Sequence, residues 1–322
     1  MSESKKILIS ANAFIEHSEY FAPLAEAGYE VGHQEQGPLS QQRLHEVLPG
    51  HIAVIAAMDA YTADVLGSAS DLRIISRWGV GIDNIDIDAA TANNIVVCNT
   101  PGMVTSSVAD MTFALMLSLA RDLTGATHRG RNAEWVQVLA ADFFSATLGL
   151  IGFGSIGQAV AYRARGFDMK VLAYDPYPNP EKAGELGVTL TDLATVIREA
   201  DFLSLHCNLT DENYHMIGAD ELTAMKPSAF LINTARGKLV DSQALLDALQ
   251  SGEIAGAALD ALEEEPPSAD DPILSAPNCL ITPHNSFYNP TSVRLVNTQV
   301  VQSILDVLAG RKTRFVLNPE VL

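Results

Sequence analysis

Residues 148–175 read LGLIGFGSIGQAVAYRARGFDMKVLAYD: an apolar run, the glycines Gly152, Gly154 and Gly157, a helical stretch, and a second apolar run ending on an acid. Strand, Gly-rich turn, helix and strand in that order predict the opening of a doubly wound dinucleotide-binding domain. The first glycine permits the tight turn, the second lets a pyrophosphate approach the backbone, and the third lets helix and strand pack closely. N–H groups at the start of the helix, at Ser155 and Ile156, then offer a partial positive charge to the diphosphate. Taken alone the glycine pattern is a weak signal. Asp175 strengthens it: it stands 18 residues beyond Gly157 (175 − 157), where a carboxylate takes both ribose hydroxyls and repels a 2′-phosphate. NAD is therefore expected in preference to NADP.

Working outward, further strands are expected at FLSLH (202–206), AFLIN (229–233), IAGAALD (254–260) and NCLIT (278–282). With the two already quoted this makes six. Upstream, KKILIS, YEVGH, HIAVIAA, LRIIS and NIVVCN alternate with helical stretches near 20–27 and 41–48. That rhythm argues for parallel sheets covered on both faces. Between the two series lies VADMTFALMLSLARDL (108–123), a helix apolar on nearly all sides. Such a helix is buried in a large domain or between subunits. A last helix is expected over about 290–309.

The chain has 322 residues, 48% of them hydrophobic, and a formal net charge of −19. A surface this acidic repels phosphate backbones and anionic lipid, so nucleic-acid and membrane partners are not expected. No apolar run reaches the roughly 18 to 20 residues of a membrane span, and the N-terminal run is too short for a signal peptide. Cys98, Cys207 and Cys279 are isolated, with no metal-type spacing. They read as reduced core thiols of a cytoplasmic protein, and no metal site is expected. Trp78 and Trp135 read as packing residues, Trp78 also as a lining residue of a substrate pocket.

Hydride transfer to a 2-keto acid needs a cation for the carboxylate, an acid for the developing alkoxide, and a group that orients the acid. Arg236 follows AFLINTA, Glu265 stands in LDALEEEPP and His284 closes ITPH. All three lie at successive strand ends, where open α/β sheets bind ligands. Read from the residues alone, the trio is suggestive but unspecific. Glu263 and Glu264 read as solvated charges, and His215 as a residue shaping the loop near the adenosine.

INTARGKLVDSQAL, GAALDALEEEPP, ITPH, RWGVGIDNID and the Gly-rich turn together resemble the D-isomer-specific 2-hydroxyacid dehydrogenases, nearly end to end and in the right order. VVCNTPG, SSVAD, LHCNLTDENYHMIG and PHNSFY are most similar to its C-terminal-binding-protein-like branch, which includes transcriptional corepressors. The resemblance implies an α/β chain of two doubly wound parallel-sheet domains: a flavodoxin-like substrate domain (1–98 and 287–322) and a Rossmann-type NAD-binding domain (99–286), with the active site in the cleft between them. It implies that Arg236 binds the substrate carboxylate, that His284 is the general acid and base, and that Glu265 stabilises the protonated imidazole. Asp260 would hold the nicotinamide carboxamide, with His206, Thr234 and Ala235 also at the cofactor. Trp78 and the backbone of Gly79, Val80 and Gly81 would meet the substrate. It also implies a homodimer built on the long apolar helix.

The expected activity is NAD-dependent hydride transfer between nicotinamide and a small D-2-hydroxy or 2-keto acid. The alternative is an NAD(H)-sensing, corepressor-like binding protein with little catalysis. Phe287 departs from the corepressor pattern, which has a tryptophan in the substrate pocket at that place. Phosphoglycerate dehydrogenases resemble the chain closely but carry an arginine for the substrate phosphate where this chain has Ala56. Asp59 then adds a negative charge nearby, so an unphosphorylated keto acid is expected.

Overall fold

The structure, a computed structural model, describes residues 5–322. The chain divides into two compact units, Met1–Val104 with Tyr288–Leu322, and Thr105–Phe287. The first holds β1 (Lys6–Ile9), β2 (Glu30–Gln34), β3 (His51–Ala56), β4 (Ile74–Arg77) and β5 (Val96–Cys98). Their order is β2-β1-β3-β4-β5, every pair parallel. This is the flavodoxin-like winding, with its switch point between β1 and β3. Central β3 is buried at every residue, whereas edge strand β2 alternates, as strands covered on both faces and strands at a rim should.

The helix Pro290–Leu308 opens at Asn289, whose side chain accepts from the Ser292 N–H at 2.9 Å. It buries Val293, Val296, Val300, Ile304 and Val307 at helical spacing. Beyond it, Asn318 accepts from the Val97 N–H at 2.8 Å and donates to the Ile95 carbonyl at 2.9 Å, fastening the tail beside β5. The unit boundary falls after Val104, not after residue 98. Hydrogen bonds explain the shift: Asn99 N–H donates to Phe315 O, Thr100 N–H to Gly79 O, and Ser292 Oγ to Met103 O.

The second unit has seven parallel strands: β6 (Thr147–Ile151), β7 (Lys170–Tyr174), β8 (Val188–Leu190), β9 (Phe202–Leu205), β10 (Phe230–Asn233), β11 (Gly256–Leu259) and β12 (Cys279–Ile281). They run in the order β12-β11-β10-β9-β6-β7-β8, a Rossmann winding with its switch point between β6 and β9. The strand the sequence reading lacked, β8, is three residues long, and only Val188 in it is buried, so it carried no apolar signal. The helix Thr105–Ala120 buries Val108, Ala109, Thr112, Phe113, Leu115 and Met116 within this unit. Its Phe113 packs edge-on to Phe143, and a ring series continues through Phe202 to Phe230 at centroid separations of 5.1–5.3 Å. Trp135 corrects its reading as a packing residue: it is 92% exposed, beside fully exposed Leu139. Among the described residues no helix is long and apolar enough to cross a membrane.

Candidate active site

The second unit's strands run parallel, so their carboxyl ends line one edge, and the expected residues fall along it. At the end of β6, Gly152 has φ +96°, and a Cβ there would lie 2.5 Å from the His206 carbonyl carbon. Only glycine fits that turn. A Cβ at Gly154, by contrast, would meet nothing within 4 Å, so the backbone faces open space there. Gly154 also begins the helix Ser155–Ala164 without a side-chain cap, which leaves its first N–H groups for an anion. Gly157 is buried in the helix and Ile156 half-buried beside it. This cradle fits a diphosphate.

Asp175, just past β7, accepts from the Phe153 N–H at 2.7 Å through one oxygen and from the Tyr177 N–H at 2.8 Å through the other. It thus ties the Gly-rich turn to the next strand, while its remaining lone pairs and partial exposure suit a ribose diol. His206, past β9, is held by Ser204 at 2.9 Å, and burial pushes its imidazole pKa down to about 3. This favours its neutral form.

Past β10, Asn233 determines the turn, a role the sequence reading missed. Its amide donates to the Arg236 carbonyl at 2.8 Å and its oxygen accepts from the Ala235 N–H at 3.0 Å. Thr234 is buried, its hydroxyl 3.3 Å from that of Thr112. The half-buried Arg236 donates from Nη1 to the Ala235 carbonyl at 2.8 Å.

Glu265 and His284 follow the adjacent strands β11 and β12, and the structure brings them together: His284 Nδ1 lies 2.7 Å from Glu265 Oε2. The other carboxylate oxygen accepts from the Leu262 N–H at 2.9 Å. Because an ionised carboxylate only accepts, Nδ1 carries the hydrogen, which leaves Nε2 as the nitrogen that can exchange a proton. His284 has φ +48°, a backbone conformation that costs a non-glycine residue ~1 kcal/mol. The strain is offset by Asp260, which is only 1% exposed. Its oxygens accept from Thr282 Oγ1 at 2.5 Å and from the Asn285 and Ser286 N–H groups at 2.8 Å each. Three donors flanking His284 therefore wrap one carboxylate. Fastening this turn is a further role, found in no sequence motif, beside the carboxamide contact that the resemblance implies.

In the first unit, Trp78 is 4% exposed and donates its indole N–H to Asn297 at 2.5 Å, which makes it a brace for the last helix. The Gly79 N–H donates to Thr100 Oγ1 at 3.1 Å, leaving Val80 and Gly81 as the candidate amides for a substrate. Asp59 corrects its expected role. It is fully buried and accepts from Ser10 Oγ, the Leu39 N–H (2.7 Å) and Tyr61 Oη (3.3 Å), so its charge is consumed inside the unit. Glu263 is likewise no solvated charge: its carboxylate lies 2.5 Å from His215 Nε2 and accepts from the Ser242 N–H at 3.2 Å.

A Rossmann-wound unit with a diphosphate cradle, an acid past its second strand and a carboxylate-held imidazole at its far edge defines a nucleotide-dependent dehydrogenase. Residues 113–286 match the sequence profile of the D-isomer specific 2-hydroxyacid dehydrogenase NAD binding domain. A glyoxylate reductase of Korarchaeum cryptofilum is 38% identical over 296 residues, 90% of this chain and 89% of the relative. A D-3-phosphoglycerate dehydrogenase of Methanocaldococcus jannaschii is 39% identical over 90% of this chain, which spans 56% of that protein. The solved D-lactate dehydrogenase of Aquifex aeolicus, complexed with NAD and lactic acid, superposes with a TM-score of 0.84 at 29% identity, covering 98% of this chain and 97% of that one. The chain belongs to the D-isomer-specific 2-hydroxyacid dehydrogenase family. It is an NAD-dependent oxidoreductase acting on the CH–OH group of a D-2-hydroxy acid. The corepressor reading gains no support from these relatives.

Proposed function

We propose that the enzyme reduces a small, unphosphorylated 2-keto acid to the D-2-hydroxy acid, with Arg236, Glu265 and His284 as its catalytic groups. The observation that carries this reading is the 2.7 Å His284–Glu265 contact past β12 and β11, one strand over from the Arg236 turn. When bound, NADH supplies the hydride. Gly152, Gly154, Ser155, Ile156 and Gly157 hold the diphosphate, and Asp175 the ribose. His206, Thr234, Ala235 and Asp260 form the remaining wall of the cofactor site. Arg236 grips the substrate carboxylate with its planar fork. Imidazolium His284 gives its Nε2 proton to the keto oxygen as C2 takes the hydride, while Glu265 holds Nδ1–H and stabilises the cation. Oxidation runs the same groups backward, with neutral His284 as the base.

The unphosphorylated tail is supported by the residue types present in the first unit. Ala56, at the phosphate-arginine position of the phosphoglycerate enzymes, is a buried strand residue. Arg77, whose guanidinium reaches Met58 Sδ at 3.4 Å, is itself buried and donates to the Trp78 carbonyl. A lost charged hydrogen bond to a phosphate costs ~1.5 to 3 kcal/mol. Steady-state kinetics with pyruvate, glyoxylate, hydroxypyruvate and 3-phosphohydroxypyruvate test this: one of the first three should give the highest kcat/KM, and preference for the phosphorylated acid refutes it.

We further propose a homodimer, working in the cytoplasm, where Cys98, Cys207 and Cys279, all free, stay reduced. Trp135, Val136, Val138, Leu139 and Phe144 are exposed on one stretch following the helix Leu123–Arg131. A run of large apolar side chains in water is a contact surface, and a second copy is its commonest partner. Sedimentation equilibrium should show a dimer that Leu139→Glu converts to a monomer.

A further inference from the structure

The loop between β11 and the Glu265 carboxylate is fastened from two directions. From below, a Cβ at Gly237 would collide with the Leu262 carbonyl and the Glu263 nitrogen, so the loop rests directly on the backbone that follows Arg236. From the side, the Glu263 carboxylate bridges His215 Nε2 (2.5 Å) and the Ser242 N–H (3.2 Å). His215 is in turn stacked on Tyr214 with centroids 4.0 Å apart, and its Nδ1 lies 3.7 Å from Asp241. Its own backbone is left-handed, φ +53°, pinned by its N–H donating to the Lys238 carbonyl at 2.9 Å. Two residues beyond Glu263, the same loop presents Glu265 to His284. A misplacement of about 1 Å in a catalytic group can cost ~10²-fold in rate, and the 2.7 Å contact leaves no slack.

We infer that His215 and Glu263 are positioning residues: a second imidazole–carboxylate pair that sets the place of Glu265 and, through it, the aim of the His284 proton. The inference rests on the assignment of Glu265 and His284 to the hydride-transfer step. The contacts of the pair are with Ser242, Asp241 and Tyr214, and its proposed action is on Glu265. The pair acts as a strut between the loop following β9, which abuts the Gly152 turn through His206, and the loop following β11. A single partly exposed imidazole–carboxylate contact contributes modestly to stability. This pair is about a quarter exposed on both sides, so its removal should disturb the proton-transfer geometry more than the fold.

The test compares His215→Ala, His215→Gln, Glu263→Ala and the double alanine variant with His284→Gln, all as full-length protein. In keto-acid reduction each single alanine variant should lose about 10-fold in kcat, with KM for the acid and Kd for NADH within about twofold of the parent. The double variant should be no worse than the poorer single one, because the two side chains form one unit. The D2O effect on kcat should rise as proton transfer becomes limiting, a change that a smaller folded fraction cannot produce. His215→Gln, which keeps a side-chain N–H donor, should recover most of the loss and decides the matter even if Glu263→Ala fails to fold. Parent-like kcat in His215→Ala alongside an inactive His284→Gln overturns the inference and leaves the catalytic assignment standing. Parent-like kcat in His284→Gln instead overturns the assignment itself. A loss of NADH affinity parallel to kcat also overturns the inference, since the pair would then serve the cofactor site.

Discussion

Asp59 in the first unit and Asp260 in the second are built alike. Both stand just past the carboxyl end of a parallel strand with a neighbour on each side, both are buried, and both are encircled by donors from their own unit. A buried carboxylate is tolerable only when so satisfied. The difference lies in what the donors belong to. Those of Asp59 are Ser10, Leu39 and Tyr61, from three separate segments, so this carboxylate clamps the fold together. Those of Asp260 come from Thr282, Asn285 and Ser286, which flank the left-handed His284. One device holds architecture in the first case and, in the second, fastens the turn of His284, the proposed proton carrier.

The largest effect expected is at the aimed residue itself. His284→Gln should lower turnover by ~10² or more while NADH affinity stays near that of the parent, because it removes proton transfer and no dinucleotide contact. Stopped-flow turnover with fluorescence titration of NADH separates the two. A parallel collapse of binding would place His284 in the cofactor site and break the contrast with Asp59.

The two aspartates should then part company. Asp59→Ala leaves three donors without their acceptor, a loss of ~3 kcal/mol or more, visible as a large drop in Tm. The molecules that remain folded should turn over at nearly the parent rate. Asp260→Ala leaves a similar debt but also frees the His284 turn, so kcat per folded molecule should fall at least ~10-fold. Equal specific activities, corrected for folded fraction by circular dichroism, would mean that the Asp260 clamp is architecture only.

Legibility in the sequence tracks this division. Eleven of the twelve strands fall on stretches that the sequence marks as strands, and the interior ones are largely apolar, because parallel strands covered on both faces must be. Short edge strand β8 had no such stretch. The Gly-rich turn and Asp175 were legible since each glycine answers a steric demand. The Arg236, Glu265 and His284 trio was visible only as residue types at strand ends, and the resemblance singled it out. The fastening groups were not legible: Asp260 as a clamp and the His215–Glu263 pair depend on contacts between loops from different strands, and Asn233 holds its own turn through short-range bonds that no apolar pattern marks. Nothing local distinguishes Glu263 from Glu264, yet one is bound to His215 and the Ser242 amide.

A third carboxylate sharpens the comparison by being left open. Asp175 also sits past a strand end and also takes two backbone N–H groups, from Phe153 and Tyr177, but it is only half-buried and keeps lone pairs free. Its carboxylate is a tether for the Gly-rich turn and, in the proposed role, also a filter for the cofactor. Catalytic efficiency should favour NADH over NADPH by at least ~10-fold, from ribose hydrogen bonds lost and charge repulsion gained with a 2′-phosphate. Asp175→Ala should narrow that ratio from both directions. NADPH loses a repulsion, whereas NADH loses its ribose acceptor and the preset turn, so NADH efficiency should fall further than NADPH efficiency rises. A ratio unchanged by the substitution would assign Asp175 to the closed class with Asp59, as a tether alone, and would move cofactor choice to another residue. Asp175→Asn separates the parts: it retains one acceptor oxygen but removes the charge, so a ratio close to that of the alanine variant would identify repulsion as the larger contribution.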